Sequence, residues 1–232
     1  MDTQTKKYNY SDDIMLKKEK YKLQNQPPKR STLEEIGNSI THGVGAIFGI
    51  VALILLLIKS TETIEVVSAV IYGVSLITMM LTSCLYHAFK TGSTVKRIFR
   101  RFDYSGIYLL IVGTFTPLFL VYASQPVLKI LFVLQGLLMI LGITFVSIFG
   151  PERIKRLNFI MYFAIGWSGV LFIPEFIENN IRLLHMILGR RILYTLGMIP
   201  FTLNFKSAHF IWHFFVLCGA IIHFLGIYSY VY

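Results

Sequence analysis

Uncharged apolar stretches of bilayer length recur along most of the chain. Residues 36–58, 66–89, 104–128, 130–151, 157–174 and 207–232 contain no Asp, Glu, Lys or Arg, and about 20 apolar residues suffice to cross a bilayer as a helix. Each stretch therefore predicts a membrane-spanning helix. A further stretch, residues 183–205, has helical apolar spacing through Leu183, Leu184, Met186, Ile187, Leu188, Ile192, Leu193 and Leu196, but Arg190 and Arg191 interrupt it. Counted as a span it makes seven, and the predicted fold is an all-α polytopic membrane protein, a seven-transmembrane helix bundle over residues 36–232. The pattern is absent from residues 1–35, which hold eight Lys/Arg, six Asp/Glu and Pro27-Pro28, with almost no apolar periodicity before Leu33. That composition predicts a disordered, charged N-terminal segment. No apolar run follows the basic N-terminus closely enough for a cleavable signal peptide. The first span is thus expected to double as the targeting signal, and the mature chain to be the whole chain.

Composition agrees with the pattern. The chain of 232 residues is 55% hydrophobic, above the roughly 45–50% of soluble domains, and its mean hydropathy is +0.63. A net charge of +10 raises the question of nucleic acid, but the cations sort by connection instead of forming a groove. Lys90, Lys96, Arg97, Arg100 and Arg101 fall between the second and third spans, and Arg153, Lys155 and Arg156 between the fourth and fifth. The alternate connections hold Lys59 with Glu62 and Glu65, then Lys129, then Arg182 with Glu175 and Glu178. No nucleic-acid partner is expected. The asymmetry predicts a cytoplasmic N-terminus and, with seven spans, an extracytoplasmic C-terminus. Membrane lipids are the expected partners, with anionic lipid drawn to the basic connection. Cys84 and Cys218 fall inside predicted spans and read as small buried residues.

With seven spans, four helix ends share the cytoplasmic side, and the polar residues collect there. Asn38 and His42 open the first span; Ser83 and His87 close the second; Asp103 opens the third; His209 and His213 open the last. His87 and His209 each lie three residues from a Lys, about 5 Å along a helix. Ser83 and His213 are each one turn deeper on the same face as these partners. His223, ten residues after His213, lies about 15 Å farther along, and His185 belongs to the opposite side. Neither joins the group. Convergence depends on the parity of the spans: without a crossing at residues 183–205, the last helix inverts.

Three neutral imidazoles, His87, His209 and His213, match a zinc site that keeps its fourth position for water. Asp103 could hold or deprotonate that water, and Ser83 could bond a ligand or a substrate oxygen. Plainer roles stand beside these. The His pair could hydrogen-bond between helices, Ser83 could serve packing, and Asp103 could cap its helix. Asn38 and His42 are explained by capping and headgroup contact, and at most stand behind the ligands. Gly43, Gly45 and Gly49, and Gly136 with Gly142, read as close helix packing.

Several separated motifs then point to a family. Glu35-x-x-Asn38-x-x-Thr41-His42-Gly43, Ser83-x-x-x-His87, Arg101-Phe-Asp103, Gly113-Thr-Phe-Thr-Pro117, Tyr194-Thr-x-Gly197 and His209-x-x-Trp212-His213 together resemble the hemolysin III family. That family sits within the progestin and adiponectin receptor superfamily and is more distantly similar to alkaline ceramidases. The resemblance covers residues 33–232. It implies a seven-helix bundle with a cytoplasmic N-terminus and a zinc ion held by His87, His209 and His213 with Ser83 and Asp103 beside it. The chain departs from the family at Tyr104, where His is frequent, at Arg190-Arg191, where small glycines are common, and in its longer N-terminal segment.

Three functions follow as expectations. The first is a zinc-dependent, ceramidase-like hydrolase of a lipid amide or ester. The second is a pore-forming cytolysin, for which no span carries a wide polar face, so that a pore would need an oligomer. The third is a receptor with a bound lipid ligand.

Overall fold

A computed structural model of the chain describes residues 10–203 and 205–232. Nine α-helices appear among them, and no strand: α1 (Tyr10–Gln24), α2 (Thr32–Lys59), α3 (Thr63–Ala88), α4 (Thr94–Pro117), α5 (Pro126–Phe149), α6 (Lys155–Trp167), α7 (Ile173–Asn179), α8 (Ile181–Thr202) and α9 (Ala208–Tyr230). A π-turn at Leu118–Tyr122 prolongs α4, and a 3-10 turn at Ser168–Phe172 joins α6 to α7. Among the described residues, six runs are long and apolar enough to cross a membrane: α2, α3, α4 with its π-turn, α5, α6 through α7, and α9. The protein is therefore an all-α, multi-pass integral membrane protein. On α5, Ile130, Val133, Leu134, Leu137, Ile140 and Leu141 are exposed, as an outer, lipid-facing helix requires.

Helices α2 to α5 pack in sequence order, α6 docks on α4 and α5, and α9 lies between α8 and α2. Helix α8 carries Arg182, Arg190 and Arg191 and is less apolar than these six runs, yet it runs the length of α9 in the opposite direction. Met186 meets Gly226, Tyr194 meets Gly219, and Phe215 meets Gly197. At one end of the bundle Lys59 Nζ donates to Tyr228 O at 2.5 Å and Tyr232 Oη to Glu65 O at 2.9 Å. The other end gathers the starts of α2, α4, α6 and α9. The return of the chain through α8 is what brings the start of α9 there.

Two differences from expectation concern that end. Disorder was expected over residues 1–35, but residues 10–24 form α1; residues 1–9 lie outside the described residues. Tyr21 Oη donates to Ile148 O at 3.1 Å and accepts from Arg101 Nη2 at 2.7 Å, while Arg100 Nη1 donates to Gln26 O at 3.0 Å. These tertiary bonds supply the order that composition withholds. Likewise the basic connection is largely helix, because Ser93 Oγ caps α4 by accepting from Lys96 N at 3.1 Å. Lys96, Arg100 and Asp103 then share one inward face at helical spacing.

Deeper in the bundle, Pro117 breaks the regular ladder of α4. Leu118 N–H bonds to Phe115 O, leaving Thr114 O to accept from His223 Nε2 at 2.8 Å. His223 thus has a structural partner away from the other histidines. Gly45 meets Met80 and Gly142 meets Tyr108, as close packing predicts, but Gly136 has nothing near it. Cys84 and Cys218 are half-buried and free.

Candidate metal centre

The end that gathers four helix starts also receives the end of α3. His87 is 2% exposed there, with His213 at 2% and His209 half-buried. One ligand nitrogen from each of the three lies within 4.8 Å of the others. The ring centroids of His87 are 4.7 Å from His213 and 5.2 Å from His209. Nε2 of His209 and Nε2 of His213 face each other at 3.1 Å. Two imidazole nitrogens on one tetrahedral zinc, each about 2.0–2.1 Å from it, would stand about 3.3 Å apart.

His87 is oriented from behind. Its Nδ1 lies 2.6 Å from Glu35 Oε2, so Nδ1–H donates to the carboxylate and Nε2 keeps its lone pair. That Nε2 is buried without a hydrogen-bond partner. A carboxylate on the far ring nitrogen is the usual support of a metal-bound histidine. Glu35 in turn pairs with Lys96 Nζ at 3.1 Å, and Lys96, fully buried, donates to Phe89 O at 3.0 Å and lies 4.9 Å from the Tyr86 ring centroid. The donor set, the converging nitrogens and the unpartnered Nε2 all fit a metal ion.

Asp103 is buried beside Ser83 and within electrostatic range of His87. It lies outside the tight three-histidine group. Ser83 is fully buried, and its Oγ has no hydrogen-bond partner of good geometry. The structure thus brings the three histidines into one group and buries Ser83 and Asp103 at the same end of the bundle.

It also gives closer contacts to two residues that the sequence placed at this end but explained by capping and headgroup contact. His42 is 1% exposed and stacks on His213 with ring centroids 3.7 Å apart and planes at 14°. Asn38 is fully buried with its amide 3.4 Å from His87 Nδ1. The cap of α2 is Ser31 instead. Glu35 appeared only as the first residue of a motif. The three- and four-residue steps from Glu35 to Asn38 to His42, continuous with the His-bearing helices, were the available signal. On α9, Ser207 precedes the pair in a left-handed conformation (φ 66°), turning the chain so that Ala208 starts the helix.

Comparison with known proteins agrees with the geometry. The family described as haemolysin-III related matches residues 30–224. The chain is 38% identical to Hemolysin-3 of Bacillus cereus over 203 residues, 85% of this chain and 92% of that protein. It is 34% identical to the Hemolysin-3 homolog of Bacillus subtilis (strain 168) over 192 residues, 81% of this chain and 89% of that protein. The adiponectin receptor protein of Drosophila melanogaster is 26% identical over 225 residues, 83% of this chain and 50% of that protein. With its helical bundle, its histidine cluster and these matches, the chain belongs to the haemolysin-III related family, within the progestin and adiponectin receptor superfamily.

Proposed function

We propose that the protein is a zinc-dependent intramembrane hydrolase of a lipid amide or ester, with seven spans, a cytoplasmic N-terminus and its centre near the cytoplasmic leaflet. The carrying observation is the buried convergence of His87, His209 and His213, with the His87 ring oriented by Glu35. A zinc ion held by these three imidazoles would supply Lewis acidity and lower the pKa of a bound water to near 7. Asp103, as carboxylate, would accept a proton at its Oδ atoms during attack and return it to the leaving nitrogen or oxygen. Ser83 Oγ, unpartnered in the protein alone, would hydrogen-bond the substrate. The buried surroundings of the histidines would keep bulk water from the reacting bond. Helix α8 would be the seventh span, its arginines turned into the bundle and away from lipid.

Metal content and release of fatty acid from ceramide-like amides, measured on the purified protein and on His87→Ala, His209→Ala and His213→Ala, test this. Near-stoichiometric zinc and turnover are expected in the wild type, with both lost in each variant. Full zinc retention in all three variants would overturn the ligand assignment, and zinc without turnover would overturn hydrolysis. The name Hemolysin-3 carried by two relatives motivates a second reading, lysis by an oligomer. Dye leakage from liposomes that persists in the three variants would favour it.

A further inference from the structure

Arg190 and Arg191 lie near the middle of α8, about 14 Å along the helix from Ile181, and each is only 4% exposed. Among the described residues, no carboxylate forms an ion pair with either. Arg191 Nη1 donates to Gly166 O. The guanidinium of Arg190 lies 5.6 Å from the Tyr194 ring centroid and that of Arg191 5.4 Å from Phe115. Four donor atoms remain buried without a partner: Nε and Nη1 of Arg190, and Nε and Nη2 of Arg191. Unpaired buried charge is among the costliest features a protein interior can hold, and within a membrane an ionisable side chain usually marks a functional site.

Both side chains line the apolar cavity between α4, α6, α8 and α9, part of which is open to the surroundings. Its walls include Ile111, Phe159, Phe163, Trp167, Met198 and Val216. The cavity therefore joins an apolar slot to two guanidinium forks with free donors. Its chemistry matches an oxyanion on an aliphatic chain, because guanidinium groups pair with carboxylate or phosphate oxygens through parallel N–H bonds. The histidines are separate: Tyr194, against which Arg190 lies, packs on Gly219, about 9 Å along α9 from His213.

We propose that Arg190 and Arg191 form an oxyanion site inside the bundle for an amphiphile, its head between the two guanidinium groups and its acyl chain along the cavity. The site is independent of the metal centre and of any hydrolysis. The shared chemistry admits two sources, a fatty carboxylate and a single-chain phospholipid with a terminal phosphate.

The test uses the purified full chain, delipidated, held in amphipol and kept in chelator, so that loss of metal cannot affect the result. cis-Parinaric acid, fluorescent when bound, is the probe. Saturable binding is expected, displaced by oleate or oleoyl lysophosphatidate but not by methyl oleate, which keeps the chain and lacks the charge. The better competitor of the first two identifies the source. Arg190→Met and Arg191→Met should each weaken probe binding about tenfold or more, and Arg190→Lys should retain part of it. Equal competition by methyl oleate, or no displacement by either anion, would overturn the proposal on wild-type protein alone, whether or not the variants fold. So would folded Met variants whose affinity stays within about twofold.

Discussion

Lys96 and Arg100 at the histidine end are as thoroughly buried as Arg190 and Arg191 halfway along α8, yet their surroundings differ. Lys96 pairs with Glu35 at 3.1 Å and donates to Phe89 O at 3.0 Å; Arg100 pairs with Glu152 at 2.5 Å and donates to Gln26 O at 3.0 Å. The arginines of α8 have aromatic faces, one carbonyl and an apolar cavity. Each cation of the first pair has a carboxylate within the chain, although Arg100 Nε stays unpartnered, whereas among the described residues neither arginine of the second pair has one. Burial alone thus says little about the role of a charge, whereas the inventory of its partners separates a structural cation from a ligand-seeking one.

The largest test of this contrast exchanges a buried cation for an apolar residue of similar reach in each region. Lys96→Met strands the Glu35 carboxylate and is expected to cost about 3–5 kcal/mol. Arg190→Met removes an unpartnered charge and should leave the delipidated protein unchanged or stabilise it by about 1 kcal/mol or more. Melting temperatures of purified protein in detergent read both, and a fall for Arg190→Met as large as that for Lys96→Met would break the comparison.

A sharper and smaller effect belongs to Glu35→Gln. The amide can still accept from His87 Nδ1, but it loses the charge that makes His87 a better ligand. Zinc affinity by chelator competition should fall about 10–100-fold, while parinarate binding at the arginines stays as in wild type. The smallest effects compare two glycines of α5. A Cβ at Gly142 would enter the Tyr108 ring, whereas nothing lies near Gly136. Gly142→Ala should cost about 1–3 kcal/mol, and Gly136→Ala should be neutral or gain about 0.5–1 kcal/mol from helix propensity. Thermal unfolding of the two variants side by side measures the difference.

Much of the histidine cluster was legible from local spacing. His209 and His213, like Ser83 and His87, stand one helical turn apart, and the parity of the spans predicted that their ends meet. The support behind His87 was not legible in the same way. Lys96 reads in sequence as one cation of a basic connection, and only the cap at Ser93 turns it inward to Glu35, 61 positions earlier in the chain. His42 and Asn38 looked sufficiently explained by a helix end, because stacking on His213 and contact with His87 are long-range contacts with no local signature. The N-terminal segment shows the same long-range effect: its composition predicts disorder, while among its described residues Tyr21 and the backbone around Asn25 have partners on α4 and α5.

The sequence by itself determined the membrane class, the helical spans and the histidine pairs, since these follow from runs of apolar residues and from the helical repeat. Only the tertiary structure decided which buried charges are satisfied. That outcome depends on what α2, α4 and α8 meet after packing: Lys96 meets a carboxylate, and Arg190 and Arg191 meet a cavity.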